Sequence, residues 1–211
     1  MIETCLTILF ALQVIFTIHE SAHAFTAVQS GDTGPRECGR ISLNPIAHMD
    51  WFGSLVLPVA FMLVTHGTLF AAYAKPVMVR PESFRKRRIG LALSAGAGPL
   101  ASFASGLAAT MLIPIASYVP FAGNFVVTFA ALSLFVAFFS MLPVPPLDGS
   151  RVYQLLMPEW LAERYLASVL PLLAISIVGL VAARMAFDFD LVDWMVETIV
   201  FPLMRLVINA L

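Results

Sequence analysis

Residues 4–28 form a nearly uncharged apolar run, yet His19, Glu20 and His23 stand inside it. A run of this length suits a membrane-spanning helix, because about 20 apolar residues are needed to cross the hydrocarbon core. Ionisable groups within such a span are costly, and they face a protein interior or a watery cavity where they find partners. The first run therefore constrains the fold twice. It is predicted to cross a membrane, and the face carrying the trio must be covered by other parts of the chain.

The rest of the sequence can supply that cover. Of 211 residues, 60% are apolar and 12% charged, whereas soluble domains run at roughly half and a quarter. Further apolar stretches occupy about 51–73, 89–117, 124–142, 164–187 and 191–210. The expectation is an all-α integral membrane helical bundle of about five to six membrane segments. A single domain over 1–211 is predicted, with a core at about 4–155 and C-terminal helices at about 164–210. The first run lacks a basic leader and a small-residue cleavage site, so it is expected to be a retained helix rather than a signal peptide.

Cys5 and Cys38 form no spaced pair, which argues against a disulfide framework or a thiolate metal site. The formal net charge of -1 gives no electrostatic footprint for nucleic acid. The bilayer itself is the predicted partner. Lys75, Arg80, Arg85, Lys86, Arg87 and Arg88 crowd into 74–88 with one acid, Glu82, which places that link on the cytoplasmic side beside anionic lipid, although the same run could instead bind acidic partners. Ile41-Ser42-Leu43 and Val77-Met78-Val79 read as short β-strands near that face, able to pair with each other, gate the site or take up a substrate strand.

His19-Glu20-Ser21-Ala22-His23 is an HExxH motif. Four-residue spacing puts both imidazoles on one helical face, where one ion can take both. Zinc suits two neutral imidazoles plus a carboxylate with one position left open for water, and Glu20 is placed to take that water's proton. A third ligand is sought in Leu142-Pro143-Val144-Pro145-Pro146-Leu147-Asp148-Gly149. Its prolines prevent a regular helix and hold Asp148 at an irregular turn. Taken alone, Asp-Gly after prolines is most often simply a turn; the HExxH makes Asp148 the candidate ligand.

At these residues the sequence resembles the site-2 protease family of intramembrane metalloproteases, in its compact bacterial branch. The likeness extends through Gly39-Arg40-Ile41-Ser42-Leu43-Asn44-Pro45-Ile46-Ala47-His48-Met49-Asp50, Ala74-Lys75-Pro76-Val77 and Ala97-Gly98-Pro99. The resemblance implies one Zn2+ per chain on His19, His23 and Asp148, Glu20 as general base, and a membrane-anchored protein as substrate. It also implies a multi-pass protein of the bacterial inner membrane with its active site towards the cytoplasm. Two positions depart from the family's pattern: Ser140 and Ser102 stand where it often has Asn. Ser140, with His48 and Asn44, is a candidate contact for the substrate carbonyl or oxyanion; His48 could equally be a further ligand, a plug, or a loop residue making local hydrogen bonds. Gly96, Gly98, Ser102 and Gly106 suggest a helix-packing face.

Parity adds a constraint. In a helix over 4–28, His19 and His23 lie roughly 5–10 Å past the midpoint, towards the C-terminal end. If 51–73 crossed the membrane fully, Asp148 would return on the opposite side and could not share an ion with them. A re-entrant hairpin at 51–73 is therefore predicted, with Gly53, Pro58, His66 and Gly67 as its breakers. Two other functions remain open from sequence: a metal-transporting or metal-sensing membrane protein, which would not need Glu20, and a pseudoprotease that binds helices without cutting.

Overall fold

The computed structural model describes residues 2–64, 72–119 and 121–210. Helix α1 (Ile2–Ser30) contains neither glycine nor proline and ends at Gly31, whose φ of 120° lies in the left-handed region. A β-carbon there would also stand 2.9 Å from the Ser83 carbonyl oxygen. Two single-turn helices follow, α2 (Gly34–Glu37) and α3 (Pro45–His48), the latter capped by the Asn44 side chain, which accepts from the Ile46 N–H at 3.1 Å.

Asp50 caps the next segment, a widened π-type stretch at Trp51–Val56 that continues into α4 (Leu57–Val64). Pro58 lacks the N–H that would ordinarily bond the Ser54 carbonyl. Gln13 of α1 takes up that carbonyl instead, its Nε2 donating at 3.0 Å. The chain then returns to its starting point: the Tyr73 N–H donates to the Gly53 carbonyl at 3.0 Å, and the Lys75 N–H to that of His48 at 2.9 Å. His66 and Gly67, predicted breakers of this segment, lie outside the described residues.

Long helices α5 (Arg87–Ala116) and α6 (Ala122–Ser140) pack against α1 and each other. The three-helix unit forms because small residues allow close approach. Gly106 lies beneath Leu134, where a β-carbon would come within 2.8 Å of the leucine Cγ. Leu134, Ala109, Ala130, Val200 and Met204 form the buried apolar cluster. After the proline-rich turn come α7 (Asp148–Tyr153), α8 (Glu159–Ala167) and α9 (Val169–Phe187). Last are α10 (Leu191–Met195), a second π-type stretch and α11 (Phe201–Asn209), which packs on α5.

Among the described residues, four helices are long and apolar enough to cross a membrane: Glu3–Ser30, Arg87–Ala116, Ala122–Ser140 and Val169–Phe187. The expected span at 164–187 is divided at Ser168 between α8 and α9, and the one at 191–210 is broken by its π-type turn. The predicted β-strands are not present: the described residues contain no strand. The backbone groups that a ladder would need are bound by side chains instead. The Ser42 carbonyl accepts from Ser21 Oγ and lies 2.8 Å from His48 Nε2, while the Val77 and Arg80 N–H groups donate to the carboxylates of Glu20 and Asp32. Ile41, Leu43, Met78 and Val79 are thus loop residues.

Candidate metal centre

One turn of α1 separates His19 from His23, and both rings point towards α5, buried to 6% and 8% exposure. Their Nδ1 atoms are bound by that helix. His23 Nδ1 lies 2.7 Å from the Ser94 carbonyl oxygen, and His19 Nδ1 lies 2.9 Å from Ser102 Oγ. A carbonyl only accepts, so His23 Nδ1 carries the proton and, in the neutral ring, Nε2 presents a lone pair. Such bonds to the remote nitrogen are how proteins orient metal-binding imidazoles.

Asp148 is brought to the same point from the other end of the chain. It is the first residue of α7, held beneath the end of α6 by Gly149, where a β-carbon would come within 2.2 Å of the Met141 carbonyl oxygen. Asp148 Oδ2 lies 3.1 Å from His19 Nε2 and 3.4 Å from His23 Nε2. Donors bound tetrahedrally to zinc at its usual nitrogen and oxygen distances stand about 3.3 Å apart. In the neutral tautomer, the lone pair of His23 faces a carboxylate oxygen, a meeting that calls for a cation between them. The donor set fits zinc. Glu20 belongs to the same group, with one ligand atom from each of His19, Glu20 and His23 lying within 4.8 Å of the others.

The Glu20 carboxylate accepts from the Val77 N–H at 3.1 Å, so the extended segment before α5 passes over the site. A cleft of about 400 Å³ opens there, lined by Glu20, His23, Tyr73, Val77, Asp148 and Arg151 among others. Ser140, His48 and Asn44 are not among its lining residues. Ser140 Oγ donates to the Val136 carbonyl of its own helix at 2.7 Å. His48 is 1% exposed beneath the motif, its Nε2 3.2 Å from Ser21 Oγ, and Asn44 serves as the cap of α3.

Ser102, considered above as a candidate amide replacement, is fully buried against His19 rather than open to a substrate. Sequence reasoning missed Ser94 and Ser102 as supports of the two imidazoles. Ser102 left a signal, a hydroxyl four residues after Gly98 in an apolar span, whereas Ser94 acts through its backbone carbonyl, which no side-chain pattern marks.

Buried groups able to hold a metal ion, set among helices long enough to cross a membrane and with a carboxylate beside them, fit a membrane-associated metalloprotease. The chain is 31% identical over 160 residues to the "Putative zinc metalloprotease YwhC" of Bacillus subtilis (strain 168), an alignment that covers 72% of this chain and 69% of the relative. It belongs to that zinc metalloprotease family. No family profile and no solved structure matches the chain.

Proposed function

We propose that the protein is an intramembrane zinc endopeptidase of the site-2 protease type, cutting membrane-anchored proteins in or beside their transmembrane segments. The observation that carries this reading is the convergence of His19 and His23 Nε2 on Asp148 Oδ2 beside Glu20, on helices of membrane-spanning length. His19, His23 and Asp148 would hold one zinc per chain. When bound, zinc supplies a Lewis acid that polarises the scissile carbonyl and acidifies a water. Glu20 accepts the proton of the attacking water and delivers it to the leaving amine. The Ser94 carbonyl keeps the His23 imidazole in the required tautomer, and Ser102 Oγ holds the orientation of His19.

The meeting of Tyr73 with Gly53 and of Lys75 with His48 supports a re-entrant hairpin at 51–73, which leaves and regains the same membrane face. The basic residues of 74–88 support a cytoplasmic location for that face and for the opening of the cleft, in keeping with a bacterial inner-membrane protein. A helical substrate must unwind locally, because its carbonyls are otherwise engaged in backbone hydrogen bonds. The extended 74–79 segment then offers backbone groups along the cleft, and Val77 and Val79 are the residues of it best placed to guide the unwound strand.

The test is cleavage of a tagged, helix-destabilised transmembrane substrate by the purified protein in detergent with zinc. Cleavage lost both with a chelator and in Glu20→Gln, with zinc still bound in the variant, supports the reading. Transport or partner binding that survives Glu20→Gln, without any cleavage by the native protein, overturns it.

A further inference from the structure

The cleft holds a charge that the proposed hydrolysis does not use. Among the described residues lining it, Arg151 is the only lysine or arginine. It follows Asp148 by three positions in α7, so both side chains share one face of that helix. Its guanidinium is exposed and makes no hydrogen bond or ion pair with any described residue.

Neighbouring charges do not neutralise it. Asp148 is committed to the imidazoles, and Glu20 accepts from the Val77 N–H. Once the metal is bound, a divalent cation and Arg151 outweigh the two carboxylates. Arg88 shows what a structural arginine does in the same neighbourhood: its guanidinium donates to the carbonyls of Gln154 and Met157 and clamps the end of the α7 region. Arg151 clamps nothing. A guanidinium opening into a cleft walled by Tyr73, Pro76, Val77 and Pro146 is a receptor for a planar anion, and a carboxylate meets it with two parallel hydrogen bonds.

We propose that Arg151 is a specificity-determining residue that receives an aspartate or glutamate side chain of the substrate; this rests on the endopeptidase reading. One helical turn separates Arg151 from the ligating Asp148, and an extended strand advances about 3.3 Å per residue. The acid therefore stands about one to three residues from the scissile bond. Juxtamembrane stretches on the cytoplasmic side are rich in lysine and arginine, so an acidic residue there is a mark that few membrane segments carry.

The experiment uses the full chain with zinc in vesicles of neutral phosphatidylcholine. Its substrates are a helix-destabilised transmembrane peptide carrying Asp at one of these positions, the Asn isostere, a Lys version, and the Asn version with free or amidated C-terminus. Native protein is expected to favour Asp over Asn about tenfold in kcat/KM, the scale of a charge-assisted hydrogen bond. Arg151→Gln brings that ratio near one, and Arg151→Glu turns preference towards Lys; zinc content and melting temperature verify that both variants are folded.

Equal cleavage of Asp and Asn peptides by native protein, or a preference that survives Arg151→Gln, overturns the proposal. So does discrimination that depends only on the free C-terminal carboxylate, or that follows added anionic lipid instead of the substrate, which would make Arg151 a headgroup contact. If native protein cleaves nothing, the endopeptidase reading fails. Affinities of the Glu20→Gln protein for the same peptides then judge Arg151 alone: an Asp preference lost with Arg151→Gln supports it, and equal binding overturns it.

Discussion

Gly98 of α5 lies so close to His23 that a β-carbon there would stand 2.3 Å from the imidazole Nε2, and 2.7 Å from Cδ2 of His19. The two histidines occupy the space a side chain would otherwise fill. Gly98→Ala is therefore expected to displace the rings from Asp148. Overpacking of this kind costs about 1–3 kcal/mol, and 1.4 kcal/mol is tenfold in affinity. Zinc affinity, measured by competition with a chromogenic chelator, should fall about tenfold or more. Unchanged affinity would show that the rings do not need this approach.

Ser102 supports His19 from behind at 2.9 Å, in a fully buried setting. Ser102→Ala removes that bond with little change in volume, leaving the ring less constrained in angle. Loss of such supporting hydrogen bonds typically weakens metal binding by about 10–100-fold. The same competition titration reads the loss, and Ser102→Asn, which restores a polar partner, should recover part of it.

The Val77 N–H on Glu20 Oε2 gives a third expectation. Val77→Pro removes the donor while keeping the residue in an extended segment already led by Pro76. Glu20 would lose the contact that fixes its carboxylate above the cleft. Cleavage of a transmembrane reporter should fall about tenfold in kcat, the scale of a hydrogen bond to a charged group, with bound zinc unchanged. A parallel loss of zinc would mean that the segment shapes the metal site as a whole.

How much of this could be read from residues alone differs between the two halves of the site. His19, Glu20 and His23 were legible because helical periodicity is a local rule, and an ionisable trio in an apolar span has few explanations. Asp148 needed the added inference that distant turns converge, which its own sequence context does not state. The supports were less visible. Ser94 and Ser102 resemble ordinary small residues of a packing face, and only the crossing of α1 over α5 turns them towards the imidazoles. The strand expectation failed for a related reason: alternation at 41–43 and 76–79 says that a segment can extend, while its hydrogen-bond partners are chosen by tertiary neighbours. Here Ser21, Glu20 and Asp32 took the groups that a ladder would have used.

The hairpin makes the most global claim and can be tested independently of activity. With Cys5 and Cys38 replaced by serine, single cysteines are introduced at Asn44, before the 51–73 segment, at Met78, after it, and at Tyr118, between α5 and α6. All three positions are exposed, Met78 at 77% and Tyr118 at 87%. Because the chain leaves near Gly53 and returns at Tyr73 to bond with it, positions 44 and 78 should react with a membrane-impermeant thiol reagent from the same face. Position 118 lies one full span beyond and should react only from the other. Labelling in intact cells and in inverted vesicles separates the faces. If 44 and 78 reacted from opposite faces, residues 51–73 would cross the bilayer, and by parity α7 would begin on the side away from the C-terminal end of α1. Asp148 could then not reach His19 and His23, and the shared metal site would fall with the hairpin.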